Sequence, residues 1–188
     1  MDKKHQIIQA AIELFAAEGY EKTSINAICA HVGVSKGAVF HHFKNKEELL
    51  REVFIRMAQI ISEVGDNVSA INEGLPAKER LVNLLEQIFS SMADAEQKLY
   101  FQFDYQVRCQ SSIQSILSDL IEERQQLMMA SFQTILCDIP EADEIVDSQM
   151  LIAEIDGIAL NYLFANGDYP LEAIKERFIK KTLLLLGV

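Results

Sequence analysis

Five cationic or titratable side chains, Lys36, His41, His42, Lys44 and Lys46, fall between Val34 and Lys46, and no carboxylate interrupts them. A run of one sign suits a polyanion, because each phosphate neutralised releases condensed counterions. The rest of the chain is built the other way. Net charge is −11 over 188 residues, yet residues 1–60 hold eight basic and seven acidic side chains while residues 61–188 hold nine and twenty-one. The acid is therefore confined to the C-terminal two thirds, and the 34–46 stretch is the part prepared to meet nucleic acid.

Other chemistries find little support. Adjacent histidines on a helix diverge by about 100°, and no cysteine or carboxylate lies close in sequence, so His41 and His42 are not expected to hold a metal. There is no phosphate-cradling glycine loop, no H-E-x-x-H and no G-x-S-x-G. Glu154 and Asp156, two apart on a helix, point away from each other. Neither an enzyme nor a cofactor is expected. Cys29, Cys109 and Cys137 are odd in number and widely spaced, which suggests no disulfide framework and a reducing compartment. The N-terminus leads into an amphipathic segment, and no run of about 18 apolar residues occurs. A soluble, cytoplasmic protein with no membrane contact is expected.

The elements that would position the basic stretch are helices, since apolar residues recur at helical spacing almost throughout. The pattern predicts an all-α chain. A first helix carries Ile7, Ile8, Ala11, Ile12 and Phe15 on one stripe and ends at Gly19. Thr23-Ser24 offers a cap for a short helix to about His31, Gly33 breaks it, and Ser35 caps a third that ends near His42-Phe43. A fourth starts at Lys46, with Leu50, Val53, Phe54, Met57, Ile61 and Val64 facing inward. Asn72-Glu73-Gly74-Leu75-Pro76 is a break, with Pro76 placed to open the next helix. Further helices are predicted over 77–94, 97–108, 111–137, 143–166 and 169–187.

Two short helices joined by a tight glycine turn, the second bearing small residues and lysine, have the geometry of a helix-turn-helix. Ile28, Val32, Val34, Val39 and Phe43 would pack inward. Gly37 and Ala38 are small enough to let a backbone approach a phosphate or base edge. The stretch from Thr23 to Leu49 resembles the TetR family of transcriptional regulators. The likeness rests on the threonine-serine cap, the Gly33-Val34-Ser35-Lys36-Gly37 turn, the end Phe40-His41-His42-Phe43 and the continuation Lys46-Glu47-Glu48-Leu49. It covers residues 5–55, with all pieces in register.

The resemblance implies that Thr23 and Lys46 hold phosphates, while Ser35 caps the reading helix. Lys36, Gly37, Ala38, Phe40, His41 and His42 would lie on or near the groove. Lys36 would take a guanine edge or a phosphate. Phe40 departs from the frequent tyrosine, losing a hydroxyl that would reach a phosphate, and either meets a thymine methyl or packs. Cys29 and Val32 replace the usual alanine types.

The resemblance also implies that residues 1–46 form the DNA-binding domain, linked through helix 4 (about 46–72), and that 47–188 bind an effector and dimerise. Phe89, Met92, Tyr100, Phe103, Met128 and Phe132 supply apolar walls, and Asp104 a polar group, for a pocket or equally for ordinary core. Helices 143–166 and 169–187, the first apolar nearly all round, would form a homodimer seam. The function expected is a repressor that binds a palindromic operator as a homodimer and is released by a small apolar or amphipathic effector of unknown identity. The competing reading is a helical dimeric adaptor with a vestigial head.

Overall fold

In the computed structural model, residues 2–71, 74–165 and 167–188 are described, with the side chains of 60–71 and 95–96 left aside. Among these residues the chain is helical and has no strand. The helices are α1 (Lys3–Glu18), α2 (Ile25–Val32), α3 (Lys36–His42), α4 (Lys46–Ile71), α5 (Ala77–Ala93), α6 (Ala95–Cys109), α7 (Ser111–Leu136), α8 (Glu144–Phe164) and α9 (Leu171–Leu185). The inward positions expected of Ile61 and Val64, and the turn at Asn72 and Glu73, lie outside the described residues.

Local chemistry sets the helix ends. Ser24 Oγ accepts from the Ala27 N–H at 3.1 Å and Ser35 Oγ from the Ala38 N–H at 3.2 Å, so each side chain satisfies a donor the helix itself leaves unpaired. Asn45 caps α4, and Glu48 reaches back to the residue before the cap. Asn45 Oδ1 accepts from the Glu48 N–H at 2.8 Å, and Glu48 Oε2 accepts from the Lys44 N–H at 2.5 Å. Gly33 turns α2 into α3 at φ +74°, a left-handed conformation that favours glycine, and its N–H donates to the Cys29 carbonyl at 2.9 Å. Pro76 sits one residue before α5.

Contacts divide the chain into two compact units. The first comprises residues 1–60 and 99–122, the second 61–98 and 123–188. In the first, Ile7, Ile12, Phe15, Ile28, Val39, Phe43, Leu49, Leu50 and Val53 close into one core with Phe103, Val107, Ile113 and Leu117. The apolar stripe of α1 is thus buried as its spacing requires. In the second unit, Leu81, Leu85, Phe89 and Met92 of α5 are buried, as are Phe132, Leu151, Ile155 and Phe178. Phe89 and Phe178 rings lie 5.6 Å apart.

Two apolar side chains of α7 and α9 face solvent. Leu127 stands out of the α7 stripe and is exposed, because one residue before Met128 is a turn of about 100° around the axis. Leu185 of α9 is 70% exposed, while Ile179, Thr182 and Leu186 are buried.

Candidate nucleic-acid interface

The first unit presents α3 outward. Val39 and Phe43 point into the core with Ile28, leaving Ser35, Lys36, Gly37, Phe40 and His41 exposed on the opposite side and Ala38 and His42 half-buried. This division follows from spacing alone: positions 39 and 43 are one turn apart, and 36, 37, 40 and 41 share the remaining arc. Phe40 is 42% exposed, with the Lys36 ammonium 5.7 Å from its ring centroid. His41 and His42 rings meet edge to face at 5.1 Å. An ideal Cβ on Gly37 would meet only Ser35 Oγ, at 3.8 Å. The fold therefore does not require glycine there, and a backbone open to a partner is the remaining consequence.

Thr23 and Lys46, to which the resemblance gives phosphates, both have internal partners. Thr23 is 1% exposed, and its hydroxyl donates to the Gly19 carbonyl at 2.9 Å and lies 3.3 Å from that of Leu14. Lys46 is half-buried. Its Nζ donates to the Tyr20 carbonyl at 2.5 Å and the Glu21 carbonyl at 3.5 Å, and it stands 4.1 Å from the centroid of the Tyr20 ring. Burial lowers the Lys46 pKa, and the Glu21 carboxylate partly restores it. Tyr20 is pushed up to about 12, mainly by burial and secondarily by Glu47 and Glu21. His31 is exposed, with Nε2 2.9 Å from Glu13 Oε2.

Several contacts that hold the head together carry no local signal. Arg51 of α4 grips Asp119 of α7 through both guanidinium arms, at 2.7 and 2.6 Å, and also donates to the Ile116 carbonyl at 2.8 Å. That grip holds the Asp119 carboxyl down at about 2. Gln106 Nε2 donates to the Ala16 carbonyl at 2.9 Å, and Ser112 Oγ to Glu21 Oε1 at 2.8 Å. The Phe15 and Phe103 rings stack at 6.2 Å.

This arrangement of an exposed, carboxylate-free third helix behind a glycine turn coincides with a known sequence family. The model described as bacterial regulatory proteins, tetR family, matches residues 7–53. The fatty acid metabolism regulator protein of Bacillus subtilis (strain 168) is 28% identical over 99% of this chain and 95% of its own length. Over residues 7–53 the chain matches the TetR family. The solved structure of FadR from Bacillus subtilis, in complex with stearoyl-CoA, superposes with a TM-score of 0.77 at 27% identity, covering 99% of this chain and 100% of that one. A transcriptional regulator from Rhodococcus sp. Rha1 shares the fold at a TM-score of 0.82 and 18% identity, over 99% and 97% of the two chains. With a matching head and a whole-length likeness to a regulator, the protein is a DNA-binding transcriptional regulator, and a vestigial head is not favoured.

The seven residues expected to line an effector pocket fall in both units of the chain. Tyr100 and Phe103 are buried in the first unit, where Asp104 Oδ2 accepts from Arg108 Nε at 3.0 Å. Phe89, Met92 and Phe132 are buried in the second and Met128 is half-buried there. Only Phe89 of the seven lines the cavity found in the second unit. That cavity, about 700 Å3, is walled by Tyr162, Tyr169, Pro170 and Leu171, with Lys175 held between Glu86 at 2.8 Å and Glu172 at 2.6 Å. Periodicity cannot distinguish a cavity wall from core, because both present the same apolar stripe. Among the described residues no helix is long and apolar enough to cross a membrane.

Proposed function

We propose that this regulator is a cytoplasmic repressor that holds a palindromic operator as a homodimer and is released by an amphipathic effector of the long-chain fatty acyl class. Residues 1–46 form the reading head, with Ser35, Lys36, Gly37, Ala38, Phe40, His41 and His42 at the groove. Helix α4 links it to an effector-binding and dimerising remainder, and no catalytic role is assigned. The observation that carries the DNA assignment is the exposed face of α3, where a lysine, a histidine and a bare glycine backbone stand together with no carboxylate. The effector class is supported by the whole-length likeness to a fatty acid metabolism regulator and to a structure holding stearoyl-CoA.

Pairing is supported by α8. Val146, Met150, Ala153, Gly157, Leu160 and Phe164 recur at alternating steps of four and three, and all but the half-buried Gly157 are exposed, while Leu151, Ile155 and Ala159 fill the opposite face. A stripe at that period is the seam of a helix pair. Two-fold pairing matches two heads to two half-sites one helical turn apart. The effector then acts by favouring a head spacing that does not fit the operator.

The test is fluorescence anisotropy of a duplex selected by the protein from random sequence, titrated with stearoyl-CoA and separately with coenzyme A. Release by the acyl thioester and not by coenzyme A is expected. Unchanged DNA affinity at stearoyl-CoA concentrations that raise the melting temperature, and so demonstrably bind, would remove the effector assignment.

A further inference from the structure

We infer that Lys36 and Phe40 act as one reading unit, with the ammonium on the O6 and N7 edge of a guanine and the phenyl ring on a thymine methyl group within two base steps of it. Each operator half-site then carries a guanine and a thymine at that spacing. The inference rests on the proposed role of α3 as the reading helix.

Folding asks for neither side chain. Val39 and Phe43 already fill the core face of α3, and Phe40 stands 42% exposed on the other side. Of the two fates open to Phe40 from its type alone, packing is thus set aside. Lys36 is the first residue of α3, directly after the Ser35 cap, where the helix dipole disfavours a cation. It is also where a reading helix meets base edges, since the N-terminal residues of such a helix reach into the groove. A phenyl ring neither donates nor accepts a hydrogen bond, and the apolar group the major groove offers it is the thymine methyl. An ammonium has donors and no acceptor. Guanine offers it two acceptors side by side, whereas adenine sets an amino donor beside its N7 and cytosine presents a donor. The two side chains lie one turn apart on the same face, with the ammonium 5.7 Å from the ring centroid. Base pairs stack about 3.4 Å apart, so groups at that separation meet bases one or two steps apart. Between Val34 and Lys46 no carboxylate competes for the ammonium, and the ring holds it beside the neighbouring base.

The experiment removes single groups from the DNA and the matching side chain from the protein. A duplex selected by the full-length wild type is remade with each thymine of one half-site changed in turn to deoxyuridine, which lacks only the methyl. Each guanine is likewise changed to 7-deazaguanine, which lacks the N7 acceptor. Affinities are measured for wild type, Phe40→Ala, Phe40→Leu and Lys36→Met. One deoxyuridine is expected to weaken the wild type about fourfold, the worth of burying one methyl group. One 7-deazaguanine within two steps of it is expected to cost about fivefold, the low end for a base-specific contact. Phe40→Ala should be indifferent to that deoxyuridine, and Lys36→Met to that 7-deazaguanine. Phe40→Leu, which keeps an apolar side chain, should retain a reduced sensitivity to the methyl, and it reports even if the alanine variant binds too weakly to measure. A wild type that tolerates every deoxyuridine would overturn the inference. So would full methyl sensitivity in Phe40→Ala, or a sensitive thymine and guanine more than two steps apart. A wild type that prefers no duplex over random sequence would instead sink the reading of α3, and this inference with it.

Discussion

Gly37 separates the demands of folding from those of DNA contact. It is helical with no strained φ, and an added Cβ meets Ser35 Oγ alone, at ordinary contact distance. Gly37→Ala should leave the melting temperature unchanged or raise it, since alanine is favoured over glycine in a helix by about 0.5–1 kcal/mol. If the backbone at this point approaches the duplex, the new methyl costs affinity for the selected duplex by about tenfold, equivalent to 1.4 kcal/mol. Thermal melts and anisotropy on the same sample check both halves, and a stabilised variant with undiminished affinity would move Gly37 out of the interface. Ser24, Gly33 and Ser35 were legible in the sequence because cap and glycine-turn chemistry is local. The internal roles of Thr23 and Lys46 were not. Lys46 meets carbonyls 25 and 26 residues away, and Thr23 bonds back into α1, so their types alone suggest a phosphate equally well.

At the scale of elements, the grip of Arg51 on Asp119 joins α4 to α7 within the first unit. The Arg51 side-chain hydrogen bond is the largest cause of the lowered Asp119 pKa, which falls from 3.8 to about 2. A carboxyl depressed on folding adds stability above its unfolded pKa, and that stability is lost as pH falls through the folded value. The wild type is therefore expected to lose a stability increment between pH 3.8 and about 2 that Asp119→Asn lacks. Melting temperatures of the two proteins across that range measure it, and parallel acid limbs would show that the pair contributes nothing. Helix limits were readable to within a few residues because caps and the 3.6 period act over a turn or two. The Arg51–Asp119 pair, 68 residues apart, and the placing of residues 99–109 of α6 in the first unit were not readable. They depend on which stripes meet in space, and periodicity identifies a buried face without naming its neighbour.

For the whole molecule, the proposed pairing places exposed apolar side chains of α8 against a second copy. Met150 is 52% and Phe164 59% exposed, so a charge on this face leaves the subunit core intact. Leu160→Glu is expected to give a folded monomer by sedimentation, with weaker operator binding because two heads are no longer linked. A variant that stays dimeric would place the seam elsewhere. With an exposed head and an acidic remainder, an overall anionic chain reads DNA through one short helix. The most direct measurement is the affinity of the wild-type protein for a self-selected duplex and for random duplex as salt is raised. Steep weakening with salt is expected on both, with a preference for the selected duplex of about a thousandfold or more. Binding that ignores salt, or equal affinity for the two duplexes, would contradict it.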